Sequence, residues 1–256
     1  MWSKRISGRD MREAALKTPP AAATGALLTV RGLEGWYGES HVLHGIDIDV
    51  RTGEVITLLG RNGAGKTTTL RAIIGILGKR AGSIVYDGVE TIRMASRNIA
   101  RLGIGYVPEE RGIFASLTVH ENLMLPPRVK PGGMSVDEIH QLFPNLKERA
   151  GSQGTKLSGG EQQMLAIGRI LRTGAKLILL DEPTEGLAPV IVQQIGRTIQ
   201  QLKAQGYTIV LVEQNFRFAQ TLADRHFVIE QGRVVDMIPN AELDANIDKL
   251  HAYLGV

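Results

Sequence analysis

The sequence contains no cysteine, few aromatic residues and no long apolar run. Without thiols, the chain can form neither disulfides nor thiolate metal sites, and it has no cysteine nucleophile. No segment approaches the roughly 18 consecutive apolar residues that a membrane-spanning helix needs. The basic residues near the N-terminus are not followed by the apolar segment of a secretory signal. We therefore expect a chain that does not itself cross a membrane, and the missing cysteines fit a reducing compartment.

The formal charge is +4, but the basic residues are scattered and form no run. Nucleic-acid binding needs a clustered basic surface, often with aromatic side chains that stack on bases, so we expect no nucleic-acid partner. Residues 1–24 show no periodicity and end in a stretch rich in proline and alanine, which predicts a disordered or tag-like tail. A short basic helix that touches anionic lipid is the alternative for this segment.

Apolar patterning predicts one α/β domain over residues 25–256. Residues 27–33 and 41–50 alternate apolar and polar side chains, which is typical of antiparallel strands. Continuous apolar runs at 54–60, 176–183 and 207–213 predict buried parallel strands. A helix is predicted over about 189–204, between the second and third of these strands.

Three further segments complete the predicted domain. Residues from about 92 to 156 contain short helical stretches and several prolines, which predicts a mostly helical subdomain inserted into the sheet domain. Residues 226–235 predict a hairpin with Gln231 and Gly232 at its turn, and residues 241–254 predict a short amphipathic helix. The alternation of strands and helices fixes the predicted class as α/β.

The sequence GRNGAGKTT follows the first buried strand and opens a helix that begins near Gly65. It matches the phosphate-binding loop G-x-x-x-x-G-K-[ST], in which successive backbone N–H groups and the helix N-terminus face the phosphates. We expect Lys66 to reach the β- and γ-phosphates and the Thr67 hydroxyl to ligate Mg²⁺. A purely structural glycine turn is the alternative, and the strand–loop–helix context argues against it. The predicted nucleotide-binding residues here are Gly60, Arg61, Asn62, Gly63, Ala64, Gly65, Lys66, Thr67 and Thr68.

A second buried strand ends in two consecutive carboxylates, in the sequence LILLDEP. Asp181 lies at the carboxyl end of its strand, where open α/β sheets bind ligands, and we expect it to hold Mg²⁺. Glu182 is expected to polarise the attacking water as a general base. A solvated acidic strand end is the alternative, but the neighbouring phosphate loop favours the functional interpretation.

The sequence LSGGEQQ begins a helix with a hydroxyl and bare backbone N–H groups, which is a second anion site. A simple helix cap is the alternative. Together with the phosphate loop and LILLDEP, this sequence closely resembles the signature of ATP-binding-cassette (ABC) proteins, over about residues 27–256. The nucleotide-contacting residues that the resemblance implies for the signature are Ser158, Gly159, Gly160 and Glu161.

The resemblance implies a P-loop NTPase fold with an ABC-type core sheet, an antiparallel β subdomain and the inserted helical subdomain. It also implies an ATPase in which two such domains pair head to tail, with ATP between the phosphate loop of one and the signature of the other. Tyr37 stands where the family has an aromatic that stacks on adenine, and a surface aromatic is the alternative. Residues 184–189 match the loop that links the two sites.

Two positions depart from the commonest family pattern. Glu109 stands where most members have a glutamine that contacts Mg²⁺, and Gln214 stands where most have a histidine near the γ-phosphate. Both departures resemble the smaller ATPase subunit of branched-chain (hydrophobic) amino-acid importers, as do DEPTEGLAP, VEQN and the closing YLG. The related lipopolysaccharide-export ATPase keeps both common residues. The implied catalytic set is Glu182, Lys66 and Gln214, and the implied metal ligands are Thr67, Glu109 and Asp181.

The subfamily resemblance also implies partners and a location. The partners would be a second ABC ATPase subunit, two transmembrane permeases and, indirectly, a periplasmic solute-binding protein. The ATPase pair would be a heterodimer in the transporter, and a homodimer is possible in isolation. The chain would lie peripherally on the cytoplasmic face of the inner membrane. The alternatives are import of urea, short amides or aromatic acids, a non-transport ABC ATPase, and a P-loop kinase, which has no reason to carry LSGGEQQ.

Overall fold

The computed structural model describes residues 25–255. The tail predicted for residues 1–24 lies outside this range, as does Val256. The described part contains two sheets and a layer of helices.

Four strands near the start of the chain form an antiparallel sheet. Its order is β2-β1-β4-β5, and the strands are β1 (Ala26–Tyr37), β2 (Ser40–Arg51), β4 (Lys79–Tyr86) and β5 (Val89–Glu90). Val30 of β1 lies between Ile48 and Ile84 of its two neighbours, and all three side chains are buried. The alternating pattern therefore places one apolar face of this sheet against the core, as predicted from the sequence.

Six strands form the core sheet, in the order β10-β9-β3-β8-β7-β6. They are β3 (Val55–Leu59), β6 (Ile104–Val107), β7 (Leu177–Asp181), β8 (Thr208–Val212), β9 (Arg225–Glu230) and β10 (Arg233–Pro239). β10 runs antiparallel to β9, and the other pairs are parallel. Every residue of β3, β7 and β8 is buried, because helices or the second sheet cover both faces.

Nine α-helices connect or cover the strands within residues 25–255. They are α1 (Lys66–Ile73), α2 (Ser96–Leu102), α3 (Val119–Met124), α4 (Val136–Leu142), α5 (Pro144–Glu148), α6 (Gly159–Arg172), α7 (Pro189–Ala204), α8 (Phe216–Gln220) and α9 (Ile247–Leu254). Helices α3 to α6 pack on one another around buried side chains such as Leu123, Phe143 and Met164. In this range no helix has the length and apolar character needed to cross a membrane.

The turn between β9 and β10 joins both sheets to the loop before α1. Gln231 and Gly232 both have positive φ, 46° and 72°, as the tight turn of a hairpin requires. The carbonyl of Gly232 accepts a hydrogen bond from the N–H of His44, and its N–H donates to the carbonyl of Ala64 at 2.8 Å. A side chain at position 232 would collide with the carbonyl oxygen of Val42. The predicted hairpin is confirmed, and its turn supports the phosphate-binding loop.

The structure confirms the α/β class, the buried parallel strands and the helix over 189–204. It differs from the sequence prediction within the segment 92–156. Residues 104–107 form β6 at the edge of the core sheet, paired with β7, instead of belonging to a helical insertion. The strand was missed because it has only four residues, includes Gly105 and is followed at once by Pro108.

Candidate functional site

A cleft of about 320 Å³ opens at the carboxyl ends of the parallel strands. Four segments that follow strands meet there, after β3, β6, β7 and β8, and Val42 of β2 lies beside them. Most of the lining is polar or charged, and it consists of Val42, Asn62, Gly63, Gly65, Lys66, Thr67, Thr68, Glu109, Glu182, Glu185 and Gln214. The cleft therefore brings together residues that the sequence predicted in four separate segments: the phosphate loop, Glu109, Glu182 and Gln214.

The loop between β3 and α1 is folded around the ammonium group of Lys66. This group donates to the carbonyl oxygens of Gly60 at 2.8 Å and Arg61 at 3.1 Å, and it lies 3.7 Å from Glu182 Oε1. Burial lowers the pKa of Lys66, and the nearby negative charges of Glu182 and Asp181 oppose that shift. Gly65 precedes the helix with φ of 109°, a conformation that favours glycine. The result is a curled backbone with a buried cation at the N-terminus of α1.

Asp181 ends β7 with both carboxylate oxygens hydrogen-bonded. The Thr67 hydroxyl donates to Oδ1 at 2.9 Å, and the Tyr106 hydroxyl donates to Oδ2 at 2.8 Å. Burial raises the pKa of Asp181, and these two hydrogen bonds oppose the shift. The hydroxyl of Thr67 and the carboxylate of Asp181 are hard oxygen donors side by side, which fits Mg²⁺. Within residues 25–255, we find no cluster of three or more histidine, aspartate or glutamate side chains that could hold a metal ion. An ion held by Thr67 and Asp181 would therefore take its further ligands from water or nucleotide.

Glu182 follows Asp181 in an unusual backbone conformation for a residue with a side chain, with φ of 45°. Its N–H donates to the carbonyl of Val212 at 3.0 Å, which ties it to the end of β8. Its Oε2 accepts a hydrogen bond of 2.6 Å from Nε2 of Gln214. The carboxylate thus lies between Lys66 on one side and Gln214 on the other.

Two more carboxylates face the cleft. Glu109 lies in the segment after β6, and Glu185 lies in the loop after β7. The pKa of Glu185 is raised by a hydrogen bond with Glu182, by its partial burial and by the negative charges of Glu182 and Glu109. This side of the cleft therefore carries concentrated negative charge, which a bound cation would relieve.

The residues of the predicted signature do not line the cleft. Ser158 caps α6: its hydroxyl accepts from the N–H of Glu161 at 3.3 Å, and the Glu161 carboxylate accepts from the Ser158 N–H at 2.8 Å. The guanidinium of Arg111 lies against Gly159 and donates to Gln162 Oε1 at 3.2 Å, which ties the segment after β6 to this helix. Gly160 is buried against Ile191.

Tyr37 also lies outside the lining of the cleft. It ends β1 with 45% of its surface exposed, and its hydroxyl is 3.5 Å from Nη1 of Arg71. The adjacent Trp36 is stacked on His41, with ring centroids 4.4 Å apart. Trp36 therefore already has an intramolecular partner, whereas the exposed Tyr37 ring is free for a planar ligand.

Sequence reasoning missed several residues that support this site. Tyr106 holds Asp181, Glu185 enlarges the acidic side, and a buried bond joins Thr184 to Glu213. The sequence carries no usable signal for Tyr106, because the four-residue strand that contains it includes Gly105 and has too little pattern. The Thr184–Glu213 bond joins residues 29 positions apart, so local pattern could not have revealed it.

Comparisons with known proteins agree with this geometry. The family model described as ABC transporter matches residues 43–185. The high-affinity branched-chain amino acid transport ATP-binding protein of Pseudomonas aeruginosa is 44% identical over 90% of this chain and all of its own length. The lipopolysaccharide export system ATP-binding protein of Escherichia coli is 33% identical over 90% of this chain and 98% of its own. A bacterial ABC transporter cassette, solved as a dimer, superposes with a TM-score of 0.73 at 25% identity, covering 83% of this chain and 98% of that chain.

The model match spans more than half of the chain, and both relatives are matched over nearly their full length. The curled loop with its buried lysine and the carboxylates at the strand ends are what nucleotide hydrolysis needs. The chain belongs to the ABC transporter family and is an ATP-binding, ATP-hydrolysing subunit of a transporter of that family.

Proposed function

We propose that this subunit binds Mg-ATP in the cleft, with the phosphates held by the loop between β3 and α1. The backbone of Gly60 to Gly65 and the N-terminus of α1 would face the phosphate oxygens. Lys66 now bonds the carbonyls of Gly60 and Arg61, and those bonds hold its ammonium group where the β- and γ-phosphates would lie. The observation that carries this assignment is the buried Lys66 inside the curled loop.

Mg²⁺ would be held by Thr67 and Asp181, with Glu109 as a further oxygen donor from the segment after β6. When bound, the ion neutralises charge on the β- and γ-phosphates. Tyr106 would keep the Asp181 carboxylate oriented, because its hydroxyl bonds the oxygen that Thr67 leaves free. Since the Thr67 hydroxyl donates to Asp181 here, the hydroxyl can keep that bond while its lone pairs face a cation.

Glu182 would act as the general base that polarises the attacking water, which typically contributes about 10² to 10⁴ in rate. Gln214 would orient this carboxylate, which it already contacts at 2.6 Å, and would approach the γ-phosphate. An amide offers both a donor and an acceptor, so Gln214 can serve two partners without titrating near neutral pH.

Each complete site would be made from two chains arranged head to tail. The signature residues Ser158, Gly159, Gly160 and Glu161 lie outside the cleft of their own chain, and ABC cassettes form dimers. The N-terminus of α6 would contact the γ-phosphate held by the opposite phosphate loop. Tyr37 would stack on the adenine, which is worth about 1–3 kcal/mol for a stacked base.

The transporter would be an importer of branched-chain or other hydrophobic amino acids. The support is the 44% identity to the Pseudomonas aeruginosa subunit of that function, together with Glu109 and Gln214. ABC ATPase subunits work with transmembrane permeases, so the partners would be a second ATPase subunit, two permeases and, indirectly, a periplasmic solute-binding protein. The chain would be peripheral on the cytoplasmic face of the inner membrane. Residues 25–256 would form one ABC ATPase domain, with α3 to α6 as its helical part.

Uptake by whole cells tests the substrate. Cells lacking this chain should lose high-affinity uptake of radiolabelled leucine, isoleucine or valine. Wild-type protein should restore uptake, and the Glu182→Gln variant, expressed at the same level, should not. Urea, a short amide and an aromatic acid are measured in parallel. Unchanged uptake of all three amino acids, with loss of one of these other solutes, would replace the proposed substrate.

A further inference from the structure

Glu213 is a carboxylate that the proposed chemistry does not use, yet it is only 3% exposed at the end of β8. Its Oε1 accepts a hydrogen bond of 2.7 Å from the Thr184 hydroxyl. Burying a carboxyl group costs free energy that an apolar side chain would avoid. The bond from Thr184 compensates part of that cost, and it joins two loops.

The two joined loops carry the residues proposed for catalysis. Thr184 lies two positions after Glu182, and its carbonyl accepts from the N–H of Leu187 at 3.2 Å. Glu213 directly precedes Gln214, whose side chain returns to Glu182. Two hydrogen bonds and two short backbone segments therefore form a closed ring. The hydrogen bonds are Thr184 to Glu213 and Gln214 to Glu182, and the backbone connects Glu182 to Thr184 and Glu213 to Gln214.

The ring explains how an unfavourable backbone conformation is held. A residue other than glycine with positive φ costs of the order of 1–3 kcal/mol and persists only where the surroundings fix it. Glu182 has this conformation, and its N–H bond to Val212 restrains only the start of the loop. The Thr184–Glu213 bond restrains the loop on the other side of Glu182, in a place where both side chains are buried.

We propose that Glu213 and Thr184 are positioning residues, which fix the carboxylate of Glu182 and the amide of Gln214 relative to each other for ATP hydrolysis. This inference rests on the proposed roles of Glu182 and Gln214. Neither Thr184 nor Glu213 lines the cleft with the phosphate loop, so they act through their neighbours. A displacement of about 1 Å at a reacting group can cost about 10²-fold in rate.

The test compares kcat and KM for Mg-ATP in the purified full-length chain. Thr184→Val keeps the shape of the side chain and removes the hydroxyl, whereas Thr184→Ser keeps the hydroxyl. Glu213→Leu removes the acceptor, whereas Glu213→Gln keeps an acceptor oxygen. We expect Thr184→Val and Glu213→Leu each to lower kcat by roughly 10- to 100-fold with KM almost unchanged, because binding residues are untouched. The Ser and Gln variants should keep most of the activity.

The double variant Thr184→Val/Glu213→Leu should be no slower than the slower single variant, because both changes remove the same bond. Wild-type kcat in Thr184→Val would overturn the inference, as would losses that multiply in the double variant or a KM that rises in step with the loss. If Glu213→Leu does not fold, the comparison of kcat between Thr184→Val and Thr184→Ser still tests the positioning role. A wild-type chain that hydrolyses no ATP would instead contradict the proposed function.

Discussion

At the residue scale, the central feature is that Glu182 contacts a cation on one side and an amide on the other. Lys66 lies 3.7 Å from one carboxylate oxygen, and Gln214 donates to the other at 2.6 Å. Both partners are hydrogen-bond donors that contact the carboxylate oxygens, so they hold Glu182 in one orientation. A group held in this way is suited to take a proton from water, which is the role proposed for it.

Glu182→Gln should slow hydrolysis by about 10² to 10⁴ while Mg-ATP binding is retained, because the amide keeps the size of the side chain but cannot accept the proton. Single-turnover hydrolysis and binding of a fluorescent ATP analogue measure the two effects separately. Glu110→Gln is the matched control, since Glu110 is an exposed carboxylate that pairs with Arg71 outside the cleft. Near-normal single-turnover hydrolysis in Glu182→Gln would remove this residue from the role of base.

The buried Glu213 makes the stability of the fold depend on pH. Burial raises its pKa to about 7 from 4.5, and the charge of Glu182 adds to the shift. The folded state therefore holds a proton that the unfolded state has lost between about pH 4.5 and 7, so stability falls as pH rises through this window. Glu213→Gln cannot ionise at this position and is the reference. Relative to it, the free energy of unfolding of the wild type should fall by roughly 3 kcal/mol across the window and should not fall further at higher pH.

Thermal or denaturant unfolding of both proteins from pH 5 to 8.5 measures this difference. The free energy of unfolding of the wild type should fall as pH rises. A salt-bridged carboxylate would have the opposite effect, because it stabilises the folded state more as pH rises. Curves for wild type and Glu213→Gln that stay parallel over the whole range would show that Glu213 does not titrate in the window.

Local motifs predicted some residues of the site and could not predict others. Lys66, Asp181 and Glu182 belong to short patterns whose spacing determines their place at the strand ends. Glu213 reads in the sequence as a polar residue ending a strand, and only its tertiary contact with Thr184 shows that it is buried. The roles of these residues in hydrolysis stay predictions until the variants are measured.

At the element scale, α9 attaches the C-terminal end of the described chain to the phosphate loop. The guanidinium of Arg61 donates to the carbonyls of Tyr253 at 3.2 Å and Ala252 at 3.4 Å, at the helix end where a cation is favourable. Leu250 is fully buried in a small cluster with Leu59 and Val228. The amphipathic helix predicted from the sequence is thus confirmed, and its packing supports the strand that leads into the phosphate loop.

Leu250→Ala should destabilise the fold by roughly 2–5 kcal/mol, because it leaves a cavity beneath α9 that its neighbours fill only in part. Val190→Ala is the control, since Val190 is 68% exposed at the start of α7 and should change stability little. Denaturant unfolding of both variants measures the difference. Equal stability of the two variants would mean that α9 contributes little to the packing of the domain.

The elements that could be predicted were those with a long, uniform pattern. β3, β7 and β8 are continuous apolar runs, and α7 has a helical pattern over 16 residues that begins at Pro189. β6 could not be recognised, because four residues with a glycine carry too little pattern and its pairing with β7 is a tertiary event. The site depends on that pairing, since β6 brings Tyr106 to Asp181.

At the scale of the whole molecule, one chain contains only part of the proposed site. The phosphate loop and the strand-end carboxylates meet in the cleft, whereas Ser158 and the N-terminus of α6 lie outside its lining. The Ser158 hydroxyl is engaged in its own helix cap, but the first backbone N–H groups of the helix remain suited to an anion from another chain. A two-chain site therefore accounts for both groups of residues without moving either of them.

A mixing experiment distinguishes a two-chain site from a one-chain site. Lys66→Ala removes the cation of the phosphate loop, and Ser158→Arg fills the space in front of α6 while leaving the cleft of its own chain intact. Each variant alone should hydrolyse almost no ATP, although Ser158→Arg should still bind nucleotide. In a mixed head-to-tail pair, the intact phosphate loop of one chain faces the intact signature of the other, so one of the two sites is complete.

Mixing the two inactive proteins should therefore restore hydrolysis, up to roughly a quarter of the wild-type rate if pairing is random and the sites are independent. The rate is measured against total protein, with each variant alone at the same concentration as the reference. Restoration cannot occur in a one-chain site, because every chain in the mixture carries a defect in its own phosphate loop or its own signature. A Ser158→Arg chain that hydrolyses ATP normally by itself would contradict the two-chain arrangement directly. Loss of nucleotide binding in that variant would show that the signature contributes to the cleft of its own chain.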